Sequence, residues 1–238
     1  MKKENLPDGM QLVSDLFGQM MRNWGAAGCP STNSPENWRF KQHLKFDDDN
    51  RSAEVLLERT IAWMAGDELA NQIPVDSGLL GRSSRTLDLA TQKGEAFELI
   101  ELKVDKVNSD TPLSAAIQVL NYGLANLFFQ LNQHRVLPSG SDNLLLSAKL
   151  LRLRVLALVE YYEREPETID WLSDFEGCLS QGLTGFSDQF LNPEYPRFEG
   201  FCFQAFPGDF RWDESRHADE SYRETVKQAF ENRSCYFK

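Results

Sequence analysis

The segment Phe97–Val104, FELIELKV, constrains the fold more than any other stretch of the chain. Side chains alternate across a strand, so residues two apart share a face. Ile100, Leu102 and Val104 make one face wholly apolar, and Phe97 and Leu99 begin the other. A strand that is apolar on both sides belongs inside a sheet with helices packed against it. Its second face nevertheless ends in Glu101 and Lys103. A carboxylate and an ammonium at the end of such a strand are the anomaly from which a functional reading starts.

The flanking segments suit a sheet of this kind. Gln11–Trp24 reads as a short amphipathic helix, followed by a loop rich in Gly, Ser, Pro and Asn. In Arg51–Gly66, Leu57, Ile61 and Met64 recur at helical spacing, Ser52 suits a cap and Gly66 an end. Glu54 and Glu58, four residues apart, share one face of that helix. Asn71–Gly81 reads as an extended segment with turns. A hairpin follows: strand Arg85–Ala90, a turn about Gln92–Glu95 containing Gly94, and strand Phe97–Val104. Thr111–Gln133 carries the clearest helical stripe, with Thr111 or Asp110 as cap and Pro112 in the first turn. Leu151–Tyr162 reads as a long strand whose Arg152 and Arg154 lie on an exposed face or against a helix. Helix at Thr168–Leu183, strand at Arg197–Phe206 and helix at Asp219–Arg233 complete the chain. The fold class expected is α/β, a mixed central sheet flanked by helices.

With 238 residues the chain is long enough for a substantial core. No apolar run reaches the roughly 18 residues that suggest a membrane span. The start turns polar at once, without the apolar stretch of a secretory signal, so a cytoplasmic protein is expected. Cys29, Cys178, Cys202 and Cys235 lie far apart and without a C-x-x-C pair, so isolated reduced thiols are expected rather than a zinc site or disulfide framework. The acidic run Asp47–Asp49 reads as a solvated turn. Net charge is −11 and uneven: residues 160–238 hold 8 Lys and Arg against 17 Asp and Glu, while residues 1–159 hold 17 against 19. Phosphate-backbone binding needs local positive charge. The balance argues against tight non-specific nucleic-acid binding by the whole chain, and leaves room for a basic cleft in the first two thirds.

A tight hairpin brings Asp88 alongside Glu101 and Lys103. Two carboxylates close together repel and raise a pKa unless a cation lies between them. Mg²⁺ suits such a place, because it takes oxygen ligands and binds through one or two carboxylates. Leu87–Asp88, twelve further residues and then Glu101-Leu102-Lys103 resemble the D…(D/E)-x-K signature of the PD-(D/E)XK nuclease superfamily. Gln118 and Tyr122, in QVLNY, are similar to the Q-x-x-x-Y element that RecB-type members carry on the following helix. The likeness spans about residues 52–160 as an order of elements and five residues as motif. Leu87 stands where many members have Pro, and neither the upstream histidine of many RecB-type nucleases nor a four-cysteine cluster pattern is evident.

The resemblance implies a restriction-endonuclease-like αβββαβ core with a C-terminal α/β elaboration. Residues 1–50 would form an N-terminal extension. Residues 51–238 would form a single nuclease-like domain, its core about 52–160 and its acidic elaboration 161–238. It implies metal-dependent phosphodiester hydrolysis, with DNA ahead of RNA as substrate. Asp88 and Glu101 would hold Mg²⁺ or Mn²⁺, helped by the backbone carbonyl of Leu102. Glu58, or with less weight Glu54, would be the glutamate some members supply from the first core helix. Lys103 would position or activate the attacking water, and Gln118 would orient the lysine or the substrate phosphate. Tyr122 would contact the nucleic-acid backbone or brace the site.

Arg82, Arg85 and Lys106 flank the motif and would line a phosphate-binding cleft, or else a solvated turn. Taken alone, Glu-x-Lys on a strand is equally a same-face ion pair. A non-catalytic binding or regulatory subunit on the same fold is the alternative, its acidic third docked on a protein partner. A second copy of the chain is a further possible partner. An unrelated α/β enzyme with its chemistry elsewhere is the third reading.

Overall fold

The structure is a computed structural model. It describes residues 6–28, 36–46, 52–75, 79, 86–104, 111–133, 143–163 and 166–237, with side chains from 171 in the last segment. Arg82, Arg85, Lys106 and Asp47–Asp49 lie outside these residues.

Six helices are found among the described residues: α1 (Gly9–Ala26), α2 (Ala53–Ala65), α3 (Pro112–Leu131), α4 (Val159–Tyr162), α5 (Pro166–Phe190) and α6 (Glu220–Glu231). Six strands, β1 (Leu69–Pro74), β2 (Thr86–Lys93), β3 (Ala96–Lys103), β4 (Leu150–Ala157), β5 (Arg197–Ala205) and β6 (Ser234–Cys235), form one sheet in chain order. The first three pair antiparallel, β3–β4 and β4–β5 pair parallel, and β6 returns antiparallel to β5. The fold is therefore α/β with a mixed sheet. The two parallel steps need long crossovers, supplied by α3 and by α4 with α5.

Every residue of β3 is buried, as expected of an interior strand. Phe97 and Leu99 enter a core shared with α1, α3 and α5, while Ile100, Leu102 and Val104 enter a second core with α2 and α6. By alternation Glu101 and Lys103 share the face of Phe97 and Leu99, although at the strand end the Lys103 amine reaches Glu54 of α2. Thr111 caps α3 by accepting from Ser114 N, with Pro112 in its first turn. Gly123 lets α3 approach the sheet, since a Cβ there would come within 2.7 Å of the Leu153 side chain.

Several expectations need correction. Helix α1 contributes Val13, Met20 and Trp24 to the main core. The strand read as Leu151–Tyr162 ends at Ala157 and turns into α4 after Leu158. There the Tyr162 hydroxyl folds back to bond the carbonyls of Val155 and Gln204. Arg154 is half-buried and paired with Glu98 rather than exposed, and Arg152 pairs with Glu199. The hairpin turn tightens to Gly94–Glu95, with φ of 65° at Gly94, a value glycine takes without strain. Cys202 and Cys235 are not isolated thiols but are joined across β5 and β6, their Cα atoms 6.1 Å apart. A strand pair contributes close cysteines that linear spacing does not reveal.

Gly123→Val should destabilise the protein by about 1–3 kcal/mol through overpacking, measured by urea unfolding. An unchanged midpoint would mean that the α3–β4 contact is looser than described.

Candidate active site

The β2–β3 ladder runs from Lys93–Ala96 to Leu89–Ile100. Where the paired register ends, Asp88 carries on, its Oδ2 accepting the backbone N–H of Leu102 at 2.8 Å. A side chain takes the place of a main-chain carbonyl, so Asp88 is fixed beside the Glu-x-Lys stretch. Lys103 Nζ donates to Glu101 Oε1 at 2.6 Å and to Glu54 Oε1 on α2 at 3.4 Å. Glu58, one turn further along α2, accepts from Asn71 Nδ2 at 2.8 Å. Asn71 is itself locked to the backbone N–H and carbonyl of His43.

Three carboxylates, Glu101, Asp88 and Glu54, thus meet one ammonium in the interior, and Glu58 lies beside Asp88 with the Arg59 guanidinium acting on it. Glu101 is 1% exposed, Glu58 2% and Lys103 6%. Burial, then the neighbouring Asp88, pushes the Glu101 and Glu58 carboxyls well above the usual carboxylate range. Burial also raises Asp88, against the pull of Lys103. Burial raises Glu54 to about 7, again against Lys103 and with Asp88 adding to the rise. Burial works against the charge on Lys103, but Glu101, Asp88 and Glu54 outweigh it and raise the ammonium above its ordinary value.

Glu98, on the opposite face of β3, shows what a fully compensated acid looks like here. Burial pushes it up, but Arg233, Lys93 and Arg154 together bring it below the ordinary value. Their nitrogens lie 2.8, 3.4 and 3.6 Å from its oxygens. One acid among three cations is satisfied; three acids around Lys103, with Glu58 beside Arg59, are not. Glu101 Oε2 is buried with no hydrogen-bond partner among the described residues.

The donor set is all carboxylate oxygen, which fits a hard divalent cation. The orphaned Glu101 oxygen and the raised carboxyls are where added positive charge would be most favourable. No group of three or more His, Cys, Asp or Glu side chains converges as a ready metal cage among the described residues. Lys103 and Asn71 hold the carboxylates apart instead.

The structure therefore brings together Asp88, Glu101, Lys103, Glu58 and the backbone of Leu102. It adds Glu54, ranked below Glu58 from sequence, as the residue in contact with Lys103. Gln118 and Tyr122 are placed otherwise. Gln118 Nε2 donates to the Tyr122 hydroxyl at 3.3 Å, and that hydroxyl donates to the Thr86 carbonyl at 2.7 Å. Tyr122 is 1% exposed. Of its two expected roles this is the bracing one, holding the start of the Asp88 strand. Asn71 was missed; with Gln72 it interrupts the apolar residues Leu69, Ala70 and Ile73 of β1, and a buried polar side chain needs a partner. No family model, curated protein or solved structure matches the chain.

Carboxyls whose pKa rises on folding bind more protons in the native state, so their stabilising contribution is present at low pH and lost as pH rises through the folded pKa. All four acids shift this way. In chelator, the melting temperature should fall between about pH 5 and pH 8, and Glu54→Gln should reduce that fall. A flat or rising profile would contradict the charge crowding.

Proposed function

We propose that this chain is a metal-dependent nuclease, hydrolysing phosphodiesters, with DNA as the first candidate substrate. The observation that carries the reading is the undercompensated cluster of Asp88, Glu101 and Glu54 around Lys103, with Glu58 beside Asp88, at the point where β2 and β3 part. The order α2–β1–β2–β3–α3–β4, with β3 and β4 parallel, supports the restriction-endonuclease-like αβββαβ core expected from the motif. The helix on which Gln118 and Tyr122 sit follows β3 directly, which supports the RecB-type likeness.

Asp88 and Glu101 would hold Mg²⁺ or Mn²⁺, with the Leu102 carbonyl and Glu58 or Glu54 completing the protein ligands. Such an ion supplies a more acidic bound water and polarises a phosphoryl oxygen. Lys103, its ammonium strengthened by the carboxylates, keeps its proton. It therefore orients the attacking water and donates to the charge developing on phosphate, rather than acting as a base. Glu54, raised to about 7 by burial and in contact with Lys103, helps to position that lysine. Asp88 is oriented by the Leu102 N–H, and Asn71 fixes Glu58. Tyr122 and Gln118 keep the Asp88 strand in place from α3.

No helix among the described residues is long and apolar enough to cross a membrane. A cytoplasmic setting is carried as a proposal. Protein docking at the acidic third and self-association are carried as proposals about partners.

The test is cleavage of single- and double-stranded DNA and RNA with Mg²⁺ or Mn²⁺. Wild type should cut at least one substrate, chelator should stop it, and Lys103→Ala should lower kcat/KM by about a hundredfold or more. Equal cutting by the variant would overturn the reading. Nucleic-acid or protein binding without cutting would favour the non-catalytic module on the same fold.

A further inference from the structure

From Leu57 to Ala62 helix α2 is buried on all sides. Arg59, in the middle of this stretch, is 4% exposed. A guanidinium keeps its charge in any protein setting and presents five donors in a rigid fork. Among the described residues its one hydrogen bond runs from Nη2 to Gln72 Oε1 at a long 3.5 Å, and the charge also acts on the neighbouring Glu58 carboxylate. Its Nε and Nη1 are buried with no hydrogen-bond partner among the described residues. The comparison within the molecule is Arg233, whose side chain is 6% exposed. That guanidinium is satisfied by Glu98 Oε2 at 2.8 Å, Phe230 O at 2.7 Å and Gln204 Oε1 at 3.2 Å. Arg59, by contrast, keeps two of its nitrogens without a hydrogen-bond partner among the described residues.

The surroundings of Arg59 say what kind of acceptor is missing. Gln72 has φ of 46°, a left-handed conformation that a residue with a side chain rarely takes. Its carbonyl accepts from Arg39 Nη2 at 3.2 Å while its side chain accepts from Arg59, so two arginines hold the strained residue. Strain of this kind persists where surrounding structure enforces it, and it clusters at functional sites. In the β1–β2 register Gln72 lies between the pairs Asn71–Leu89 and Ile73–Leu87, directly across from Asp88. The open fork is therefore one strand spacing from the carboxylate cluster, and its chain neighbour Glu58 belongs to that cluster. Those carboxylates are turned to Lys103, Asn71 and Leu102 N. An anion arriving beside a cation-seeking acidic cluster, and matched to a planar fork, has the chemistry of a phosphate group.

We propose that Arg59 is a substrate-binding residue that donates to the anionic oxygens of a phosphate group lodged next to Asp88. The inference rests on the nuclease reading for the identity of that group, a phosphodiester of the substrate. The fork holds the chain of the nucleic acid against β1 while Asp88, Glu101 and Lys103 face the scissile bond. A free or terminal phosphate offers the same oxygens and is the other source to be distinguished.

The test is the melting temperature in Mg²⁺ of wild type, Arg59→Met and Arg59→Lys. Each is measured alone, with inorganic phosphate, and with a DNA oligonucleotide that has hydroxyl ends. The oligonucleotide arm is run in the Lys103→Ala background. An arginine left open for a ligand is replaced by methionine without loss, so the unliganded variant should melt no lower than wild type. With saturating probe wild type should rise by about 5 °C, Arg59→Met should not rise, and Arg59→Lys should rise less. A rise with the oligonucleotide assigns the site to an internal phosphodiester. A rise with inorganic phosphate alone assigns it to a free or terminal phosphate. Equal rises in wild type and Arg59→Met, no rise with either probe, or a marked drop in unliganded Arg59→Met would overturn the assignment. Cleavage separates the two claims. An Arg59-dependent rise in a protein that cuts nothing removes the nuclease reading alone. Cleavage with kcat/KM unchanged in Arg59→Met removes this inference alone.

Discussion

The short bond from Lys103 to Glu101, 2.6 Å in an almost dry setting, is the contact on which the site depends. Removing a carboxylate from water is expensive, and the expense is recovered only with good geometry and enough opposite charge. Around Glu98 three cations supply that charge and the acid is held ionised. Around Glu101 one lysine serves three acids and Arg59 offsets Glu58 only in part, and all four carboxyls are pushed up. The same strand, β3, thus carries a satisfied ionic cluster on one face and an undercompensated one on the other. A stability role explains the first. The second is the arrangement expected where a cation is to be bound and a phosphate attacked.

The rest of the fold keeps that imbalance in place. β3 is locked between β2 and β4 and covered on both sides, so its end cannot relax toward solvent. The carboxylate of Asp88 replaces a ladder contact, which ties the hairpin to the site. From β1, Asn71 and Gln72 hold Glu58 and Arg59, two adjacent residues of α2 that point to different tasks. From α3, Tyr122 pins the start of β2. Two helices and three strands therefore fix the charged groups, with His43 bonding Asn71 from the segment before α2.

Much of this was legible in the sequence. The double-sided apolar pattern of Phe97–Val104, broken by Glu101 and Lys103, located both the sheet interior and the site. The stripe on α3 and its Thr111 cap were equally plain, because period and capping are local properties. What was not legible depends on distant residues meeting. The Cys202–Cys235 link needs the β5–β6 pairing, and the inward role of α1 needs the packing of α5 against it. Leu158 ends β4 although the apolar run continues, because Tyr162 finds its hydroxyl partners only by folding back. Arg154 looked exposed by alternation, and Glu98, the acid opposite it, is what turns that face into an ionic cluster. Glu54 outranks Glu58 in contact with Lys103 because the helix axis, not the residue type, decides which turn of α2 meets the strand end.

The central claim is that the cluster is built for a cation and not for the stability of the fold. Its most direct test is the melting temperature of Glu101→Gln against wild type, with chelator and with saturating Mg²⁺. The account predicts that the amide variant melts at or above wild type in chelator, because a like-charge clash is relieved. It also predicts that Mg²⁺ raises wild type and leaves the variant unmoved. A variant that melts well below wild type in chelator, with Mg²⁺ making no difference to either protein, would show that Glu101 and Lys103 are a structural ion pair and would contradict the account.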